Sequence, residues 1–385
     1  MLGSGTAFTS GTFTHTVSGN WTNNGGTFTP GSGTVNFTST TAAQAINGTA
    51  ATQTFNNITI TKTAQTLSVG GSTTSLNIGG TQTIATGTFD AGTAANIYLT
   101  GSGGNWTNNG GTFTPGSGTV IFNNTSGAQA INGTVVSRTF NNITVDKSGQ
   151  TLSIGGSITA VALNGNLNLT AGTLADGGSI ITVAGNITGT ATHSGTGKIS
   201  MTGSSKTISG VTLGNLELNN TSGFSLSGSP TINGTLTLTN GLLTTTTNTV
   251  TIASTGTITG ASSARYVDGK LARVITTTTL TSFPVGKGAG TYRPVEFTYT
   301  AAPGTKTVTI EQFESGSPLS ISTANTVRFG GRYWNINQSA TGINYTIGLN
   351  NGGLTPTGSA VILRREGSGS TTQNATTFSS PTYSN

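Results

Sequence analysis

Four aspartates are the first places to look for acid–base chemistry: Asp90, Asp146, Asp176 and Asp268. Glycan cleavage needs two carboxylates within several ångströms, or clustered aspartates that hold calcium beside a basic proton acceptor. Each of the four is alone in its local sequence, and Thr61 stands at the place of Asp146 one repeat earlier. The two histidines, His15 and His193, sit in Thr-rich sequence without a flanking acid, which points to structural or surface roles rather than proton transfer or metal ligation. Gly101-Ser102-Gly103-Gly104 and Val285-Gly286-Lys287-Gly288 have phosphate-loop composition, but neither leads into a helix whose N-terminus would hold an anion, so both read as turns. Asn-X-Ser/Thr triplets such as Asn20-Trp21-Thr22 follow from a chain rich in Asn and Thr. No catalytic residue, cofactor or metal ligand is assigned, and no enzymatic activity is expected.

Two tryptophans admit a binding role. Trp21 and Trp106 occupy equivalent positions beside Asn and Gly turns, so they are either plugs of the core or exposed platforms on which sugar rings stack. Threonine arrays raise ice binding as a further idea, but strict Thr-X-Thr spacing recurs too irregularly to favour it.

The elements that would position these side chains are strands. Only 6% of the 385 residues are charged and 59 are glycine, against about 25% charged in an ordinary soluble domain. Thr, Val, Ile and 15 Phe argue against disorder. Net charge is +6, yet no Lys/Arg cluster exists that could neutralise neighbouring phosphates, so nucleic acid is not an expected partner. Residues 1 to 260 hold five basic and four acidic groups, and the excess lies beyond. No apolar run is long enough to span a bilayer, and membrane insertion is not expected. Cysteine is absent, so no disulfide contributes and an oxidising exterior is tolerated.

The organising feature is a duplication. Gly19 to Ser72 recurs as Gly104 to Ser157, at a numbering offset of 104 − 19 = 85, with 40 of 54 positions identical and no gap. Period-two segments such as Thr34-Val35-Asn36-Phe37 alternate with NNGG, PGSG and NGT turns. Shorter Gly-separated strands continue from Asn164 to Leu243. The pattern predicts an all-β fold: a parallel β-solenoid over 1–260, in coils of roughly 20–25 residues stacked at about 4.8 Å, followed by an antiparallel β-sandwich over 261–385. A row of sandwiches is the competing architecture, since the duplicated unit is near the size of one. Phe37 and Phe122, Phe55 and Phe140, and Ile58 and Ile143 are expected to face inward, and Phe297, Phe313, Tyr333 and Trp334 to anchor the C-terminal module.

The NWTNNGGTFTPGSGTV, AQAINGT, TFNNITI and NGTLTLTNGLL motifs, with SSARYVDGKLARVI, FPVGKGAGTYRPVEFTY and RYWNI near the end, resemble those of large cell-surface proteins of Bacteroidota that use type IX secretion. The resemblance covers nearly the whole chain and identifies a sequence style rather than an activity. It implies a secreted, extracellular or cell-surface protein with an adhesive or structural role. The sorting domain usual in that family is not visible after Arg364-Arg365-Glu366, so the natural protein is expected to extend further.

Self-association is the last expectation. Met1 to Val17 has no charged residue and no proline, and Phe8, Phe13 and Val17 lie in strand-like sequence. Gly367 to Asn385 is likewise uncharged, with Phe378 and Tyr383 as anchors. A tail that completes the first coil of the next subunit would build head-to-tail filaments. Surface glycans are the other expected partner, and a carbohydrate-binding or carbohydrate-cleaving β-helix is the alternative function.

Overall fold

The computed structural model describes residues 1–315, 325–329, 332–339, 345–350 and 363–365. Every regular element among them is a β-strand. Two compact units are present, one of Met1–Gly203 with Val211–Asn215, the other of Ser204–Gly210 with the chain from Leu216 on.

The first unit is a parallel β-solenoid, which excludes a row of antiparallel sandwiches over this stretch. Its strands pair with strands one coil away. Leu167 lies opposite Ile187 and Trp21 opposite Ile46, so the coil repeat is 187 − 167 = 20 in one place and 46 − 21 = 25 in another. Alternation in sequence becomes alternation in burial, as in Thr119–Phe122, where Val120 and Phe122 are buried and their neighbours are not. Three inward ladders result. One runs Val35, Ile58, Gln82, Trp106, Ile131, Ile154. A second runs Gln53, Leu76, Ile97, Val120, Ile143, Leu167. A third holds Gln44, Leu67, Phe89 and Phe113, and then, past a break, Arg138, Val161, Ile181 and Ile199. All six expected inward positions of the repeat are buried, and each large apolar side chain removed from water contributes about 1.5–3 kcal/mol.

The duplication and the coil are out of step. Val35 belongs to the first ladder, whereas its copy Val120 belongs to the second. One repeat therefore amounts to three coils and two further faces, and the second copy is rotated by one face relative to the first.

Local chemistry explains the turns. In NNGG the Asn23 side-chain oxygen accepts the N–H groups of Gly25 (3.0 Å) and Gly26 (2.9 Å), and Asn108 does the same for Gly110 and Gly111. Gly48 and Gly133 adopt φ of +119° and +118°, with the carbonyl oxygens of Asn23 and Asn108 where a Cβ would stand. Between coils, Asn142 Oδ1 accepts Asn166 N–H at 2.7 Å and Asn166 Oδ1 accepts Asn186 N–H at 2.8 Å. These are the side-chain ladders a stacked fold permits.

The second unit also contains parallel coils, with Phe224, Leu243, Val267 and Val285 on one inward ladder. Strand Val267–Ile275 then changes the rule: it pairs parallel with Leu243–Ile252 and antiparallel with Lys306–Phe313. Antiparallel pairing carries on through Arg332–Gln338 and Asn325–Phe329, while Thr281–Phe283, Val295–Tyr299 and Tyr345–Leu349 form a small antiparallel sheet of their own. Phe297 and Trp334 are buried as expected of anchors, and Phe313 stacks on Tyr333 at 4.5 Å. Arg293 bridges to Glu314 at 3.1 Å, and Arg332 meets the same carboxylate at 2.9 Å.

Candidate functional site

The two tryptophans divide. Trp21 is partly exposed, and its indole N–H donates to Gln53 Oε1 at 2.9 Å. Gln53 in turn donates to the Asn47 carbonyl and to Thr73 Oγ1, so this polar group is fully engaged. Trp106 is 0% exposed and sits among Phe89, Phe113 and Phe140, with the Phe113 ring 4.6 Å away edge to face. Its ring is part of the core and offers no surface platform.

Arg138 stands where the first copy has Gln53. Its side chain points inward at the head of the ladder Arg138, Val161, Ile181, Ile199, and it is 3% exposed. Nη2 donates to the carbonyls of Asn108 (2.8 Å) and Asn132 (3.2 Å), and Nη1 to its neighbour Ser137. Arg138 Nε and Trp106 Nε1 find no acceptor. Burial pulls the guanidinium below its usual pKa. A cavity of about 190 Å³ opens beside these groups, bordered by Asn108, Phe113 and Phe140. It lies where the strands Thr112–Thr114 and Ser137–Phe140 approach each other without pairing.

Two other buried polar groups are closed on themselves. Lys62 and Lys147 are repeat equivalents with no exposure, and each ammonium has three acceptors for three hydrogens. Lys147 Nζ reaches the carbonyls of Asn124 (2.8 Å) and Gly127 (2.9 Å) and Gln129 Oε1 (2.9 Å). Lys62 does the same with Ser39, Ala42 and Gln44. Burial pushes Lys147 down to about 8 and Lys62 in the same direction.

Asp176 and His193, each solitary in sequence, are brought together one coil apart: Nε2 and Oδ2 are 3.0 Å apart with both side chains fully buried. Asp176 Oδ1 also accepts the N–H of Gly178 (2.8 Å) and Gly197 (3.0 Å). His193 Nδ1 accepts Gly214 N–H at 3.3 Å. Sequence reasoning missed this pair because coil pitch, not sequence distance, decides which residues stack.

Asp268 lies 3.8 Å from Lys287, and Glu311, raised by burial, feels Lys270, Lys287 and Asp268. No group of three metal-ligating side chains occurs among the described residues. A groove of about 720 Å³ in the second unit is lined by Ser, Gly, Thr and Ala together with Phe224 and Leu242, and no carboxylate of the described residues faces it. Among the proposed assembly residues, Phe13 is 70% exposed, Phe8 and Val17 are partly exposed, and Phe378 and Tyr383 lie outside the described residues.

Fold and site together define a parallel β-solenoid whose buried polar groups mostly serve its own backbone. Comparison with known proteins found no matching family model, no matching curated protein and no matching solved structure.

Proposed function

We propose that this chain is a secreted structural or adhesive protein of the cell surface, of the type IX secretion kind its motifs resemble, and that copies join head to tail into extracellular filaments. The carrying observation is the first coil. Strands Leu2–Gly3, Ala7–Thr9 and Thr14–Val17 each pair on one side only, with Asn23–Asn24, Thr27–Thr29 and Thr34–Phe37. Their other edges present main-chain donors and acceptors with no charge or proline to discourage pairing, and Phe13 stands exposed beside them. Strand addition there uses main-chain hydrogen bonds and is little affected by salt. The antiparallel sheets after Val267 are read as a β-sandwich joined to the solenoid.

The role is non-catalytic in this reading. Asp176, the aspartate with an imidazole partner, is sealed from solvent; one carboxylate oxygen is held by two backbone N–H groups and the other faces His193. Electron microscopy and sedimentation of the chain with and without residues 1–17 test the assembly: loss of filaments on truncation supports it, and monomers at high concentration in both forms overturn it. Glycan binding is the second reading, favoured by the cavity at Arg138.

A further inference from the structure

The two copies of the repeat solve the same problem differently. In the first, Gln53 gives the tryptophan N–H its acceptor and closes the site. In the second, Arg138 brings a donor-only group to the same place. Trp106 Nε1 thereby loses its acceptor, Arg138 Nε has none, and no carboxylate of the described residues pairs with the guanidinium. A guanidinium that is 3% exposed and served only by carbonyls is a poorly compensated charge. The neighbouring space is sized for a compensating partner: about 190 Å³, or room for about six waters.

We propose that this cavity is a binding site for a small carboxylate, with Arg138 as its cation. A carboxylate carries the negative charge that the guanidinium lacks and accepts charge-assisted hydrogen bonds from guanidinium N–H groups. Phe113, which is partly exposed, supplies an apolar border against which the rest of a carboxylated molecule, free or as the acid group of a sugar, would rest. The lysine cradles make no such demand, because all three hydrogens of each ammonium are already accepted. The proposal does not depend on filament formation, and its failure would leave that reading untouched.

Calorimetric titration of the whole chain at pH 7 and low salt with acetate, glucuronate, oligogalacturonate and the neutral methyl ester of glucuronate tests it. Saturable binding of at least one acid, without binding of the ester, is the expected result. Acetate alone would identify a free small carboxylate as the occupant, and the sugar acids an acidic glycan. Arg138→Gln restores the first copy's residue and should weaken binding at least about tenfold, the loss of a charge-assisted hydrogen bond. Equal binding of acid and ester, equal binding by a folded Arg138→Gln variant, or no acid binding tighter than about 10 mM would overturn the proposal. Should that variant fail to fold, the comparison of acid with ester on the natural chain decides.

Discussion

Nε2 of His193 lies 3.0 Å from Oδ2 of Asp176 inside the solenoid, with neither side chain reaching solvent. The contact is electrostatic rather than an aligned hydrogen bond. Because Nδ1 accepts the Gly214 N–H, the ring proton sits on Nε2, facing the carboxylate. A second proton would have to enter at Nδ1, against that N–H. The imidazole is therefore neutral, and burial lowers its pKa more than Asp176 raises it.

Acid should consequently loosen this unit. Below the ordinary histidine value of about 6.5 the unfolded chain takes up a proton that the folded chain refuses. The stability contributed by this group is complete above that value and is lost as pH falls towards the lower folded value. Urea unfolding between pH 7 and 5 should show a falling midpoint, and the slope should shrink in Asp176→Asn/His193→Leu. Asp176→Asn alone places an amide where two donors would oppose each other and should cost about 1–3 kcal/mol. An unchanged slope in the double variant would refute the assignment.

The lysine cradles yield a sharper test of burial. Lys147→Met keeps the aliphatic stem but strands the carbonyls of Asn124 and Gly127 and the Gln129 side-chain oxygen, for an expected loss of about 1–3 kcal/mol. Lys62→Met should match it, and the double variant should lose the sum, since the sites share no partner. Equilibrium unfolding checks all three. A neutral result would mean that the cradle carbonyls find water.

Much of this architecture was legible in the chain and some was not. Alternation around Val35-Asn36-Phe37 fixes strand faces, and the identity of Gly19–Ser72 with its copy reveals the repeat. The copy does not reveal the coil, because the repeat is not a whole number of turns, and identical residues such as Val35 and Val120 enter different ladders. Contacts that depend on coil pitch were therefore invisible: Asp176 with His193, and the cavity between Phe113 and Arg138. The Gln53/Arg138 difference was visible as a mismatch, but only the inward register shows that it exchanges an acceptor for a donor.

Glycine at 133 is required by geometry. At φ +118° an added Cβ would stand 2.1 Å from the Asn108 carbonyl oxygen, which also accepts from Arg138. Gly133→Ala should cost about 1–3 kcal/mol in backbone strain and disturb the Arg138 site. Gly48→Ala, with the same 2.1 Å approach to Asn23, should cost as much without touching that cavity. Thermal melts of both variants, read beside acetate titration of each, separate the two effects.

Gln82 offers the opposite sign. It is wholly buried in the ladder between Ile58 and Trp106, and neither its Oε1 nor its Nε2 has a partner. Its counterpart one repeat later is Leu167, equally buried between Ile143 and Ile187. An orphaned amide in an apolar stack forfeits its hydration and receives nothing in return, whereas leucine fills similar space with no polar atom. Gln82→Leu should therefore stabilise the solenoid by about 1–3 kcal/mol, seen as a higher urea midpoint at unchanged slope. Gln82→Glu should destabilise it by more, because a charge would then occupy the same site. Should Gln82→Leu lower the midpoint instead, the amide must have partners inside the coil, and the inward ladder around Trp106 would need a different packing.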